Sequence, residues 1–182
     1  TEATIPNLLI PYLAPSSAKH AVWKDKLQGM PGTKAGLCWA GRPEPDPRRS
    51  ATLHDLAPLA ALQETVFYSL QLGKEAAATS QPPPGMQLVD LTNEIHDFED
   101  TAALICQLDL VISVDTSVAH LAGALGKPVY LLLPFAPDWR WMLGREDSPW
   151  YPTMRLFRQE TPGDWGGPVS SVIKILQHTG LQ

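Results

Sequence analysis

Short apolar runs of five or six residues recur along the chain and alternate with amphipathic stretches. The runs predict strands at residues 35–39, 65–70, 86–90, 110–114, 129–133 and 154–157. The stretches between them predict helices at residues 52–63, 100–107, 117–125 and 169–177, with a shorter one near 73–78. Strands that alternate with helices build a parallel sheet covered on both faces, because each crossover needs that length of chain. We therefore predict an α/β fold, a Rossmann-like, doubly wound parallel sheet.

The length of 182 residues suits one sizeable domain. We predict a lead-in segment with a short helix at residues 1–32, followed by the Rossmann-like domain at residues 33–182. Hydrophobic residues make up 44% of the chain and charged residues 18%, which is typical of a protein that buries an ordinary core. The chain starts with Thr1 rather than Met, so we expect it to be part of a longer protein.

Charge and hydropathy argue against several classes of protein. The net charge of −5 is opposite to the basic surface that bulk nucleic-acid binding requires. No apolar run reaches the length of a transmembrane helix, and the first residues lack the features of a signal peptide. Cys38 and Cys106 lack the spacing of a metal or redox motif, which predicts buried thiols. These features together favour a cytoplasmic protein.

The segment from Asp115 to His120, with the sequence DTSVAH, follows the apolar strand 110–114 and opens a run of small residues. A helix that starts there has unpaired N–H groups and a partial positive charge, which favour an anion such as phosphate. His120 is one turn into that helix and can face the same spot. The structural alternative is that Asp115, Thr116 or Ser117 only caps the helix and that His120 is an ordinary half-buried histidine.

The loop 40–50 after the first strand is long and carries Gly41, three arginines and three prolines. Arginine has a rigid fork of donors that suits phosphate oxygens, and Gly41 allows a ligand to approach the backbone closely. In doubly wound sheets, ligands bind beyond the carboxyl ends of strands, where this loop is expected to lie. The alternative interpretation is a solvated surface loop.

Other chemical motifs are missing from the sequence. It contains neither the GxxxxGK[ST] phosphate loop nor the GxGxxG dinucleotide fingerprint, so NAD is not expected. The GxSxG elbow is absent, and Ser117, His120 and Asp115 are too close in sequence for a hydrolase triad. The five histidines have no metal-ligand spacing. We therefore expect neither a metal site nor a cofactor.

Tryptophans are concentrated between the last two predicted strands, at Trp139, Trp141 and Trp150. The favoured interpretation is an aromatic cap that packs over the sheet. The alternative is that Trp139 or Trp141 offers a flat face to a sugar or a base.

Residues 115–128, with the sequence DTSVAHLAGALGKP, resemble the donor-site signature of the heptosyltransferase-like glycosyltransferases of family 9. Stretches 36–41, 69–71, 138–152 and 156–165 are similar, in the same order, to the glycosyltransferase half of bacterial tetratricopeptide-repeat proteins. The resemblance covers roughly residue 11 to the end. It implies a GT-B glycosyltransferase, in which two Rossmann-like halves enclose a cleft, and this chain resembles the carboxyl-terminal half.

The resemblance implies that the chain binds a nucleotide-diphosphate sugar for transfer to a protein or glycan acceptor, without a metal or other cofactor. An acidic general base would lie in the amino-terminal half, so no catalytic residue is assigned to this chain, and the isolated chain is expected to transfer sugar poorly or not at all. Helical repeats are the other expected part of the same protein. The alternative is a non-catalytic nucleotide-binding or scaffold domain attached to such repeats.

The resemblance also implies roles for individual residues. Asp115 would fix the turn, His120 would reach a phosphate or the sugar, and Ser117 stands where the signature commonly has glycine. The positions expected to contact the donor are Gly41, Arg48, Arg49, Ser50, Asp115, Thr116, Ser117, Val118 and His120, with Gln71 and Trp139 as possible sugar or base contacts. In heptosyltransferases a lysine of the first loop lies near the phosphates, and here that loop has arginines instead.

Overall fold

The computed structural model describes residues 9–44 and 46–179. Residues 1–8 of the predicted lead-in segment, Pro45 of the first loop and residues 180–182 of the predicted domain lie outside the described residues. The helices are α1 (Ser17–Leu27), α2 (Phe98–Cys106), α3 (Ser117–Ala124) and α4 (Gly166–Thr179). The strands are β1 (Thr33–Cys38), β2 (Thr65–Ser69), β3 (Leu88–Val89), β4 (Leu110–Val114), β5 (Val129–Leu133) and β6 (Met154–Arg158).

The six strands form one sheet in the order β3-β2-β1-β4-β5-β6, and all neighbouring pairs are parallel. This arrangement confirms the predicted Rossmann-like, doubly wound sheet. The strand order reverses between β1 and β4, which lie side by side in the middle of the sheet. Ligands of such sheets bind where the order reverses, so the loops after β1 and β4 occupy the favoured position.

Both faces of the sheet are covered, as the apolar strands predicted. In β4, Val111 packs into the core on the side of α1, α2 and α3, whereas Leu110 and Ile112 pack into the core on the side of α4. Side chains alternate between the faces of a strand, so a strand buried on both sides is predominantly apolar, and the one polar residue of β4, Ser113, donates its hydroxyl proton to the Val114 carbonyl oxygen. All five residues of β4 are buried.

The largest difference from the sequence prediction lies between β1 and β2. The α-helix expected at residues 52–63 is a 3₁₀ helix, His54–Ala61, and Pro58 lies inside it. Proline has no N–H group, and its ring obstructs the carbonyl four residues earlier, which disfavours an α-helix at that point. The segment still covers the sheet with its apolar side chains, because Leu56 and Leu59 are buried in the core. The short helix expected near residues 73–78 is also 3₁₀, Lys74–Ser80.

The described part of the lead-in segment is attached to the rest of the fold at two places. Helix α1 buries Trp23 and Leu27, and its Lys19 forms ion pairs with Asp97 at 2.7 Å and Asp100 at 3.0 Å. The residues before α1 reach α3, where the N–H groups of Tyr12 and Leu13 donate to the carbonyl oxygen of Ala124 at 3.0 and 3.4 Å. The division of the chain at residue 32 stays a prediction.

Both cysteines are free thiols. Cys38 is buried as predicted, whereas Cys106 is only partly buried. Burial raises the pKa of Cys38 to about 11, so this thiol is protonated at neutral pH. None of the helices in the described ranges is both long enough and apolar enough to cross a membrane.

Candidate functional site

A cleft of about 820 Å³ opens at the carboxyl edge of the sheet. The loop after β1 and the start of α3 lie on one side of it, and the residues after β2 and the start of α2 complete the wall. Six of the site residues predicted from the sequence line the cleft, namely Gly41, Arg49, Gln71, Thr116, Ser117 and Val118. The cleft therefore lies at the reversal of strand order, where the topology favours a ligand.

Thr116, one of the three residues that the structural alternative offered as a cap, does not cap the first turn of α3 with its side chain. Thr116 is the N-cap residue, but its side chain makes no capping hydrogen bond. The Ser113 hydroxyl donates its one proton to the Val114 carbonyl oxygen at 2.7 Å, so the Thr116 hydroxyl is the donor in the 3.1 Å bond between the two hydroxyls. Because that hydroxyl turns towards the sheet, it leaves the first N–H groups of α3 to water or a ligand.

The loop after β1 brings a cation to the same place. Arg49 donates from Nε and Nη2 to the Arg42 carbonyl oxygen at 3.3 and 3.1 Å. A side chain built on Gly41 would place its Cβ 3.5 Å from both of these nitrogens and 3.3 Å from Thr116 Cγ2. Gly41 therefore lets the backbone of the loop, Arg49 and the first turn of α3 approach one another with no side chain between them.

Arg48 and Ser50 have different surroundings from Arg49. Arg48 forms a two-bond ion pair with Asp46, with Nε–Oδ1 at 2.9 Å and Nη2–Oδ2 at 3.1 Å, and its side chain is 82% exposed. Ser50 Oγ accepts a hydrogen bond from Gly41 N–H at 3.0 Å. Neither side chain lines the cleft. Within the described residues, neither Arg49 nor Arg42, which also lines the cleft, forms an ion pair, so both charges are available to a ligand.

Gln71 lines the cleft, but its amide is fully engaged with the backbone. Its Oε1 accepts from the N–H groups of Trp39 at 3.1 Å and Ala40 at 2.8 Å. Its Nε2 donates to the carbonyl oxygens of Ala40 at 3.1 Å and Leu72 at 3.0 Å. These four bonds join the ends of β1 and β2, so Gln71 shapes the loop that carries Gly41 and Arg49.

His120 lies one turn beyond Thr116 and does not line the cleft. Its ring stacks on Trp141, with ring centroids 5.3 Å apart, and its Nδ1 lies 3.1 Å from the Tyr151 hydroxyl. Its Nε2 lies 3.7 Å from Oδ1 of the buried Asp115. Burial lowers the pKa of His120, an effect that Asp115 opposes. The imidazole is therefore neutral at pH 7 in the absence of a ligand.

The two tryptophans of the segment after β5 differ sharply in exposure. Trp141 is fully buried at 0% exposure, as an aromatic cap requires, whereas Trp139 is 74% exposed. Trp139 contacts the edge of Trp150 at a ring-centroid distance of 6.5 Å and does not line the cleft. The sugar or base contact for Trp139 stays a prediction.

Several residues near these groups escaped the sequence analysis. Lys74 lines the cleft, as Arg49 does, and Tyr151 contacts His120. Lys74 follows Gly73, which has a φ of +83° at the carboxyl end of β2, so a glycine after a predicted strand was the available signal. Tyr151 lies 31 positions from His120, and no local pattern connects them. No cluster of three or more metal-ligating side chains occurs in the part of the chain that the structure describes.

Comparison with known proteins confirms the resemblance to glycosyltransferase family 9. The model of the family described as glycosyltransferase family 9 (heptosyltransferase) matches residues 64–132. This segment includes β4 and all of α3. Protein FlbA of Caulobacter vibrioides is 33% identical over 176 residues, which cover 91% of this chain and 29% of that protein. The chain thus spans less than a third of this curated relative.

Solved structures share the fold. The E. coli ADP-heptose LPS heptosyltransferase II matches with a TM-score of 0.69 and 17% identity, over 96% of this chain and 56% of that chain. The carboxyl-terminal domain of a glycosyl transferase group 1 family protein (LpcC) from Francisella tularensis matches with a TM-score of 0.51 and 14% identity, over 90% of this chain and 84% of that domain. The chain therefore has the fold of one part of these proteins.

Proposed function

From the family 9 match and the shared fold, we propose that this chain is the donor-binding half of a metal-independent GT-B glycosyltransferase. It binds a nucleotide-diphosphate sugar, which a longer protein transfers to a protein or glycan acceptor. Two findings support the half-protein role: the chain spans 56% of heptosyltransferase II, and it also matches an isolated carboxyl-terminal glycosyltransferase domain. The relation to enzymes with tetratricopeptide repeats stays part of this proposal.

One observation carries the proposal. The guanidinium of Arg49, which forms no ion pair within the described residues, and the uncapped first turn of α3 lie next to each other at Gly41. A helix amino terminus and an arginine fork both favour phosphate oxygens, and here they belong to adjacent strands at the reversal of strand order. The diphosphate would lie across Gly41, between Arg49 and the N–H groups of Ser117 and Val118.

The same groups suit the proposed chemistry. When a sugar leaves a nucleoside diphosphate, negative charge builds up on the phosphate oxygens. Fixed N–H donors and a cation that are already in place stabilise that charge without further rearrangement. The general base for the acceptor would lie in another part of the protein, so the described chain supplies leaving-group stabilisation rather than proton abstraction.

Arg49 and Arg48 provide a matched test in adjacent positions. We expect Arg49→Ala to weaken binding of the preferred nucleoside diphosphate by about tenfold or more, because a charge-assisted contact contributes about 1.5–3 kcal/mol. Arg48→Ala removes the same charge but leaves affinity within about threefold, because Arg48 is paired with Asp46 outside the cleft. Isothermal titration with UDP, GDP, ADP and CMP measures both effects.

Two outcomes would contradict the proposal. One is no binding of any of these nucleotides at millimolar concentration. The other is equal losses of affinity in Arg49→Ala and Arg48→Ala, which would show that general charge rather than the Arg49 site attracts the nucleotide. Either result would favour the alternative function, a scaffold domain attached to helical repeats.

A further inference from the structure

We propose that Tyr151 is a positioning residue that holds His120 in one tautomer, with the proton on Nε2 and the Tyr151 hydroxyl donating to Nδ1. The assignment of this tautomer rests on the described contacts of the ring alone. The use of His120 towards an anionic ligand rests in addition on the proposed function.

The contacts of the two ring nitrogens determine the tautomer. A neutral imidazole has one donor nitrogen and one acceptor nitrogen. Asp115 lies 3.7 Å from Nε2, and an ionised carboxylate only accepts hydrogen bonds, so its charge favours the proton on Nε2. Nδ1 is then the acceptor, and the Tyr151 hydroxyl at 3.1 Å is its donor. Burial and a side-chain hydrogen bond with Tyr12 raise the pKa of Tyr151, so this hydroxyl keeps its proton. Because a hydroxyl has one proton, Tyr151 accepts in the bond with Tyr12 when it donates to Nδ1.

The surroundings fix the position of the tyrosine ring. Tyr151 is 9% exposed and packs against α3 at Gly123, where a Cβ atom would lie only 2.6 Å from ring carbons. Glycine at this helical position therefore makes room for the ring. On the other side, the buried Trp141 stacks on His120. His120 is thus held by a ring on one face and a hydroxyl at Nδ1, which leaves little freedom for its side-chain torsions.

The orientation has a chemical consequence. Nδ1 is occupied by Tyr151, so Nε2–H is the donor that His120 directs away from the aromatic cluster, towards Asp115 and the start of α3. A histidine held in this way donates a hydrogen bond from Nε2 in its neutral form, so it does not need to be protonated first. For a diphosphate seated at α3, this would add an N–H donor whose availability does not change between pH 7 and 8.

The tautomer is measured directly by long-range ¹H–¹⁵N spectra of the 182-residue chain labelled with ¹⁵N-histidine, in the absence of nucleotide. The His120 signals are assigned by their loss in His120→Ala. We expect an unprotonated Nδ1 and a protonated Nε2 above the pKa of His120. In Tyr151→Phe we expect the Nδ1–H form to increase several-fold and the pKa of His120 to rise by about 0.5–1, because the lost bond favoured the neutral ring.

The sign of the pKa change separates this assignment from the reverse one. If Nδ1 donated to Tyr151, loss of the hydroxyl would lower the pKa of His120 instead of raising it. The charged groups that act on His120, namely Asp115, Asp138 and Arg140, are unchanged in the variant. Tyr130→Phe is the matched control, because Tyr130 lies on β5 against Phe157 and should leave the His120 spectrum unaltered.

A dominant Nδ1–H form in the unmodified chain would overturn the proposal, as would an unchanged or lowered pKa in Tyr151→Phe. The first of these readouts needs no variant, so a folding defect does not prevent the test. Failure of the chain to bind nucleotides would contradict the proposed function but would leave this tautomer measurement intact. The two results are therefore distinguishable.

Discussion

Replacing Trp141 with alanine is expected to lower the free energy of unfolding by about 3–5 kcal/mol, the usual cost of emptying a buried tryptophan site. Trp141 is 0% exposed and joins the core on the side of α2 and α3. Its removal leaves a cavity beside His120, whose ring stacks on it at 5.3 Å. The cost is large because the surrounding side chains cannot collapse fully into the space.

Trp139 is the matched control for this variant. It lies in the same 3₁₀ turn, two positions earlier, and is 74% exposed. Trp139→Ala should therefore change the free energy of unfolding by no more than about 0.5–1 kcal/mol. Urea denaturation followed by circular dichroism measures both variants. Similar losses for the two tryptophans would show that the segment after β5 does not pack as the structure describes.

Replacing Gln71 with leucine is expected to lower the free energy of unfolding by about 2–5 kcal/mol, although leucine is similar in size and more hydrophobic. The variant leaves the buried N–H groups of Trp39 and Ala40 without the acceptor that Gln71 provides at 3.1 and 2.8 Å. Each buried polar group that loses its partner costs about 1–3 kcal/mol. Urea denaturation with a linear extrapolation gives the difference.

Gln63→Leu is the corresponding control, because the side chain of Gln63 donates a single bond, to Ala60 at 2.8 Å, on the exposed surface. Its free energy of unfolding should stay within about 0.5 kcal/mol of the unmodified chain. If Gln71→Leu changed the free energy of unfolding as little as Gln63→Leu, the role of Gln71 in joining the ends of β1 and β2 would be contradicted. A selective loss of nucleotide affinity with unchanged stability would instead favour direct contact between Gln71 and the ligand.

The fold was predictable because its strands are buried on both faces. β4 and β5 coincide with the predicted runs 110–114 and 129–133, since two-sided burial requires strands that are apolar at nearly every position. The segment 52–63 was predicted correctly as a covering element but wrongly as an α-helix. Hydrophobic spacing reports which residues face the core, whereas Pro58 decides the hydrogen-bond pattern of the backbone.

The location of the cleft was also predictable, because the carboxyl ends of parallel strands meet at one edge of the sheet. Which of Arg48 and Arg49 faces the cleft was not predictable from composition. Arg48 and Arg49 are adjacent, and the choice depends on Asp46, which pairs with Arg48 and leaves Arg49 for the cleft. The partner of His120 was not predictable either, because its contact with Tyr151 depends on the tertiary packing of the tyrosine ring at Gly123.

Helix α3 is held at both of its ends by different parts of the molecule. Its amino terminus faces the cleft, and the carbonyl oxygen of Ala124 near its carboxyl terminus accepts the N–H groups of Tyr12 and Leu13. The helix that connects these two ends is eight residues long. A ligand that binds more tightly when α3 is in this position therefore also favours the contact of α3 with Tyr12 and Leu13. By the same free energy, that contact favours binding of the ligand.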